Sequence, residues 1–505
     1  MLFVNGWIPD YSIILLKVIP DFLPVFTRFR YCSLSEYVQH MYSIAFEMFF
    51  WIDLSCIFGT CLPKYKSTNK RYVDGAELMD RSVCSTYETL DEIDVLAQSV
   101  TFDKIRKATK ELSNVVVRTP TVRSPWLSDY IGGNVFLKLE NLQITGSFKA
   151  RGAYMCIKNL SDAEKERGIV TMSTGNHAQS VAYHAKKMGI LATIVMPENA
   201  AIAKVERTRS LGASVILHGK TVLEARDFTL QLMKRNNYAL VHPFDDVNII
   251  IGQGSVGVEM LTDVPNLDVL LIPIGGGGLA AGVAIAAKEL NPNIQIIGIQ
   301  SSFCPSTAEV LFPNVILNET RKDFQTIADG IAVHSPGRIN LNILHNLLDD
   351  MLIVNESSIE AAVESLIVHN KIIAEGAGAA GVAAILVGKD ILKGKNVGTI
   401  ICGGNIDSRI VSSLLMRGLV HEGRLIRLKI EVSDSPGIVA HLSTIIGKAG
   451  GNVFEISHQR LFNRTMIKMG YVDAMVETRD ANHANLICKA LIENGFPAKV
   501  MEDSF

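Results

Sequence analysis

The sequence predicts an α/β protein of mostly parallel strands, followed by a smaller βαββαβ unit. Three observations predict it. From about Leu90, strand-like and helix-like segments alternate. The strand-like segments are continuous apolar runs, which suits strands buried on both faces of a parallel sheet. After Gly423 the order becomes strand, helix, strand, strand, helix, strand over roughly eighty residues, the ferredoxin-like pattern at the size of a small separate domain.

In chain order, NVFLKLE is a strand and SFKARGAYMCIKNL a helix; GIVTM is a strand and NHAQSVAYHAKKMG a helix ending at Gly189. LATIVMP, SVILHG, DVLLIPI, IQIIGIQ and NVGTIICGG continue the strands. AAIAKVERTRSLG, TVLEARDFTLQLMKRN and LAAGVAIAAKELNP supply helices between them. LIRLKIEVSDSPGIVAHLSTIIGKAGGNVFEISHQRL, TMIKMGYVDAMVET, DANHANLICKALIENG and PAKVME make up the last unit. The domain expectation is therefore 1–90 as an extension, 91–420 as the main domain and 424–505 as the small one.

The chain has 505 residues, 48% of them hydrophobic and 20% charged, a composition with ample core. A formal net charge of −2 provides no field that would draw in nucleic acid or an anionic membrane. Eight cysteines lie without CxxC pairs or Cys/His clusters, which reads as reduced thiols in a cytoplasmic protein with no metal site. The extension carries the apolar runs YSIILLKVIPDFLPVF and YSIAFEMFFWIDLSCIFGTCL. The second is about as long as a bilayer span. It contains Glu47 and Asp53, and an acid at the bilayer centre costs roughly 2.5–3.5 kcal/mol. Lys17, Pro20 and Asp21 break the first run. Membrane contact by residues 1–70 is not the expectation, nor is a cleaved signal, since no basic segment precedes a clean apolar run.

Ligands in open α/β sheets bind at the carboxyl ends of strands, and three strand-to-helix turns there are chemically loaded. The first, in NLQITGSFKARGA, sets Lys149 in the first turn of a helix. A helix N-terminus disfavours cations, so Lys149 fits there as a neutral amine with a lowered pKa, or as a bonded one. The second is MSTGNHAQ, with Ser173, Thr174, Gly175, Asn176 and His177. Its free N–H groups and hydroxyls can hold a carboxylate, although Ser173 or Thr174 taken alone reads as a helix cap. The third is PIGGGGLAAG, where Gly275, Gly276, Gly277 and Gly278 suit a backbone wrapped around an anion.

Several phosphate readings compete for that turn. A P-loop ends in Gly-Lys-Ser/Thr, whereas Leu279 and Ala280 follow here. The dinucleotide pattern is met loosely by Gly275, Gly277 and Ala280, but the next strand ends in GIQSS, with no acid for a ribose. A lone phosphate fits best; a flexible helix entry is the plainer alternative. Lysine, phosphate cradle and amide beside one crevice suggest pyridoxal 5'-phosphate, whose aldehyde bonds covalently to a neutral lysine amine.

The motifs GSFKARGA, STGNHAQ, GGGGLAAG, AEGAGAAG and ICGGN together resemble the serine/threonine dehydratases of the fold-type II pyridoxal-phosphate family, over roughly Val100 to Gly418. The resemblance implies two open α/β subdomains and the loss of water from threonine or serine, giving 2-oxobutanoate or pyruvate and ammonia. It implies that Lys149 holds the cofactor and acts as base at the substrate Cα. Phe148 would line the pocket, and Asn176 would bond the ring hydroxyl. Gly275, Gly276, Gly277, Gly278 and Leu279 would bind the phosphate. Ser173, Thr174, Asn176 and His177 would hold the substrate carboxylate, with His177 a structural hydrogen-bonding residue rather than a catalytic one. Cys402 stands where the family places a serine or cysteine beside the pyridine nitrogen. A neutral thiol there makes the ring a weak electron sink, which favours routes that expel a leaving group as Cα–H breaks. Glu375 falls in a family motif near the cofactor.

Serine racemase shares the scaffold and is the near alternative. It needs a hydroxyl opposite the lysine, here Thr174, and acids for a metal where this chain has Gln300 and Ser306. An amino-acid-sensing protein without catalysis is the alternative of another class. The tail, with VSDSPG and GGNV, looks like an ACT regulatory domain, which implies a homodimer or homotetramer and an amino-acid effector near Asp434, Gly437 and Asn452.

Overall fold

The computed structural model describes residues 89–315, 325–459 and 469–501. The apolar runs of the extension lie outside the described residues, as does most of the segment TMIKM. Three sheets organise the described chain. β3 (Ile169–Met172), β4 (Ala192–Met196), β5 (Ser214–Leu217) and β6 (Ala239–Leu240) form a parallel sheet in the order β5-β4-β3-β6.

The second sheet joins β1 (Thr121–Arg123), β2 (Asn134–Lys138), β7 (Val269–Pro273), β8 (Gln295–Ser301), β9 (Asp350–Val354) and β10 (Asn396–Ile400) in the order β1-β2-β10-β7-β8-β9. All its pairings are parallel except β1 with β2. Every residue of β7 is buried, as expected where helices cover both faces. These are the mostly parallel sheets that the alternation predicts.

β11 (Leu425–Ser433), β12 (Asn452–Gln459), β13 (Met469–Glu477) and β14 (Ala498–Val500) form a separate antiparallel sheet, order β12-β13-β11-β14, with helices Ile438–Lys448 and Ala481–Glu493. The chain order there is βαββαβ, as the sequence pattern predicts. The buried apolar residues Leu428, Ile430, Leu442, Ile446, Val472, Val476 and Ile487 form a core of their own.

The helix Val247–Asp263 is not marked by periodicity. It opens at Asp246, whose carboxylate accepts the Ile249 N–H, and twelve of its seventeen residues are buried. A helix apolar all round belongs inside. It lies between the helices Lys149–Lys158 and Gly278–Leu290, and glycines set the spacing. A Cβ at Gly252 would come within 2.8 Å of the Gly152 Cα, and one at Gly282 within 2.3 Å of the Ile250 carbonyl. The turn that carries Lys149 and the turn of four glycines are thereby held at a set separation.

Beneath the lysine helix is a buried charge cluster. Arg151 bonds Glu140 at 2.7 and 2.9 Å and Glu259 at 2.7 and 2.8 Å, while Lys138 bonds Glu259 at 2.7 Å and the Thr119 carbonyl at 2.7 Å. Two cations meet two carboxylates, so the desolvation cost is offset by full pairing.

Candidate active site

The turn before Lys149 is fastened to the end of β10. The Phe148 N–H donates to the Cys402 carbonyl at 3.1 Å, and Ser147 bridges to Gly403. Lys149 is the first residue of its helix, and no side chain caps that end. Its Nζ donates to the Pro243 carbonyl at 2.6 Å. The amine is lowered from 10.5 to about 8. Burial is the main cause; Cys402 and Glu375 act against it. The depressed value agrees with the sequence expectation, and the cause it rests on is desolvation.

The glycine turn joins β7 to the helix Gly278–Leu290. Gly277 has φ +94°, a left-handed backbone that favours glycine. A Cβ at Gly276 would stand 2.2 Å from the Phe244 ring. The Gly276 carbonyl is turned outward, accepting from Asn340 Nδ2 at 2.8 Å and from the Gly337 N–H at 3.0 Å. No side chain caps the helix that begins at Gly278, so its first N–H groups are available to an anion.

In the second turn, Gly175 is the helix N-cap and no side chain bonds the helix start. Ser173 Oγ accepts the Gly175 N–H at 3.3 Å instead; Thr174 is half-buried. Asn176 Nδ2 donates to Glu375 Oε1 at 2.7 Å, and Asn405 Nδ2 donates to Asn176 Oδ1 at 2.7 Å. His177 Nε2 is 3.0 Å from the Val241 carbonyl, and burial, aided by the charge of Lys149, lowers its pKa to about 3. A neutral imidazole bonded to the backbone at the end of β6 is a structural group.

Cys402 is buried just past β10; burial, reinforced by Glu375, pushes its thiol well above the ordinary value. Glu375 is raised to about 7, chiefly by burial and then by Asp329, against the Asn176 hydrogen bond. A Cβ at Gly403 would fall 2.3 Å from Glu375 Oε1. The structure therefore gathers Phe148, Lys149, Asn176, Glu375 and Cys402 at one place.

Sequence reasoning missed Pro243, Phe244 and Asn340, and gave no role to Asn405 although it closes the ICGGN motif. Only the run HPF between a strand and a helix hinted at the first two. Gln300 Oε1 accepts the Thr307 and Ala308 N–H groups at 3.0 and 2.9 Å, and its Nε2 donates to the Ile274 carbonyl at 3.2 Å. Ser306 Oγ donates to the Val333 carbonyl at 2.6 Å. Both side chains are engaged with the backbone.

In the small domain, Gly437 has φ +84° and caps the helix Ile438–Lys448. Asn452 Nδ2 donates to Glu477 at 2.7 Å. The register sets Leu425 and Asn452 both opposite Glu477, while Ser433 pairs with Met469. Asn452 thus stands at the Leu425 end of β11, whereas Asp434 follows its other end, about 25 Å along the strand at roughly 3.3 Å per residue, and Gly437 is separated from it by the length of the helix Ile438–Lys448. One chain does not bring these three residues together.

A half-buried lysine amine with a lowered pKa, near a glycine turn whose helix start has no side-chain cap, suits an aldehyde that carries a phosphate. The chain belongs to the pyridoxal-phosphate-dependent enzymes: the model of that family matches residues 112–403. Within the family it is 41% identical over 402 residues to an L-threonine ammonia-lyase of Thermotoga maritima, covering 80% of this chain and 100% of the relative. It is 46% identical over 327 residues to a catabolic L-threonine dehydratase of Staphylococcus aureus, covering 64% and 94%. Among solved structures, the processed form of threonine deaminase isoform 2 from Solanum lycopersicum aligns with a TM-score of 0.59 at 31% identity, over 70% of this chain and 93% of that one. Maize serine racemase aligns with a TM-score of 0.59 at 33% identity, over 64% and 99%. Among the described residues, no helix is long and apolar enough to cross a membrane.

Proposed function

We propose that the chain eliminates water from L-threonine, and from L-serine, yielding 2-oxobutanoate or pyruvate and ammonia. The observation that carries the reading is the pairing of Lys149 with Cys402. Burial brings the Lys149 amine down to about 8, so its neutral, proton-accepting form is far more accessible than in an ordinary lysine, and the buried thiol beside it stays protonated.

The bound cofactor supplies an electron sink for the bond that breaks at the substrate Cα. Lys149 Nζ would hold the cofactor, and its amine would serve as the base for the Cα proton. The peptide N–H groups of Gly275 to Leu279 hold the phosphate. Phe148 would wall the pocket, and Asn176, held by Glu375 and Asn405, would bond the ring hydroxyl. Ser173, Thr174, Asn176 and His177 form the loop for the substrate carboxylate. As a neutral thiol, Cys402 would not hold a proton on the pyridine nitrogen, which would suit loss of the β-hydroxyl over other routes. The names of the Thermotoga and Staphylococcus relatives agree with this reading. Steady-state assay of 2-oxobutanoate and pyruvate on the purified chain tests it; formation of neither product removes it.

The maize structure and the Thr174 hydroxyl favour serine racemisation as the second reading. The methyl of Thr174 and the engagement of Gln300 and Ser306 with the backbone weigh against it. Chiral chromatography after incubation with L-serine decides between them.

For the βαββαβ domain we propose an amino-acid effector site at Asp434, Gly437 and Asn452, built from two copies of the chain in a homodimer or homotetramer. The separation of these residues in one chain motivates the two-copy form. Calorimetry with branched-chain amino acids tests it, and absence of binding alongside unchanged activity curves ends it.

A further inference from the structure

Gln253 lies on the helix Val247–Asp263 and is fully buried. Its side chain sits where that helix meets its two neighbours. Gln253 Oε1 is 3.0 Å from where a Cβ of Gly278 would stand, and Gln253 Nε2 is 3.0 Å from where a Cβ of Gly152 would stand. Gly278 opens a helix whose first N–H groups have no side-chain cap, and Gly152 lies one turn beyond Lys149. Neither amide atom of Gln253 has a hydrogen-bond partner among the described residues. A buried amide in that condition keeps its full desolvation cost, and folded proteins almost always satisfy such groups. The oxygen and nitrogen ends of an amide have the same shape, so either end can be presented to the Gly278 side.

We propose that Gln253 is a further cofactor-binding residue, its NH2 group donating to a phosphate oxygen held in the Gly275–Gly278 turn. A neutral donor suits the place. A lysine or arginine would also bind phosphate, but its charge would further disfavour the ammonium of Lys149. A carboxylate would repel the phosphate. The glycines at 152 and 278 leave the amide the room it occupies. The inference rests on the placement of the phosphate in the glycine turn.

The alternative is that Gln253 only fills space between helices, and two near-isosteric variants separate the two roles. Full-length wild type, Gln253→Met and Gln253→Glu, each stripped of cofactor, are titrated with pyridoxal 5'-phosphate and with inorganic phosphate. Their melting is followed without ligand. Gln253→Met is expected to melt no lower than wild type without ligand, because it removes an unpartnered amide, yet to bind both ligands about tenfold or more weakly. Gln253→Glu is expected to bind both more weakly still. The 31P resonance of the bound cofactor should move in Gln253→Met. If either variant binds the cofactor and phosphate as tightly as wild type, Gln253 is a spacer and the proposal is overturned. If wild type itself gains no stability from phosphate, the phosphate placement falls and this proposal falls with it.

Discussion

Replacing Lys149 by methionine should make the stability of the cofactor-free protein less dependent on pH, and the structure gives the sign and size. Burial holds the Lys149 amine at about 8 in the folded chain, against 10.5 for an ordinary lysine. Between those values the unfolded chain carries a proton that the folded chain lacks, so stability rises with pH there. Below about 8 both states are protonated, and the folded state bears the whole cost of a buried ammonium. Above 10.5 both are neutral and the cost is gone. The difference between 10.5 and about 8, at about 1.4 kcal/mol per pH unit, is about 3 kcal/mol. Methionine removes that cost but leaves the Pro243 carbonyl without its donor, a loss of about 1 kcal/mol at every pH. Lys149→Met should therefore be about 2 kcal/mol more stable than wild type at pH 8, and should lose that advantage as pH approaches 10.5. Working above pH 8 keeps Glu375, which titrates near 7, mostly ionised in both proteins. Urea unfolding of the two cofactor-free proteins across pH 8 to 10.5 measures the gap. A gap that stays constant across that range refutes the reasoning.

Arg151→Met should cost about 3–5 kcal/mol in urea unfolding, because it leaves Glu140 in the interior without its cation and removes two of the three bonds that cations make to Glu259. Adding Glu140→Gln should recover part of that loss, and no recovery would argue against a charge-pairing role. Cys402→Ser should retain most of the elimination activity, whereas Cys402→Asp should shift products toward transamination or racemisation; an unchanged product spectrum from the Asp variant would refute the account of the thiol. Gly276→Ala should sharply weaken cofactor binding, since its Cβ would stand within 2.2–2.4 Å of three ring atoms of Phe244. Spectrophotometric titration with pyridoxal 5'-phosphate reads this, and Phe244→Ala in the same chain should restore part of the affinity.

Each turn legible in the sequence announced itself by residue types that are costly elsewhere: a lysine at a helix start, four glycines in succession, small polar residues between strand and helix. The helix Val247–Asp263 gave no such sign, because VNIIIGQGSVGV mixes β-branched residues with three glycines, each a poor helix former. Tertiary packing decides it: the glycines allow close approach to Gly152 and Gly282, and burial on every side outweighs propensity. Asn340 also carried no local signal, since an asparagine acquires a role only from the backbone folded against it; Asn405 closes the ICGGN motif, but its bond to Asn176 shows only in the folded chain.

The sequence by itself determined the α/β class, the alternation of most of the strands and helices and the three turns at strand ends, since hydrophobic periodicity and glycine placement act over a few residues; β6, β9 and the helix Val247–Asp263 were not legible in it. The tertiary structure alone decided which distant residues share the crevice: Cys402 against Phe148, Glu375 against Asn176, Pro243 against Lys149. It also decided the protonation of Lys149, Glu375 and Cys402, because desolvation depends on what the rest of the chain packs around a group.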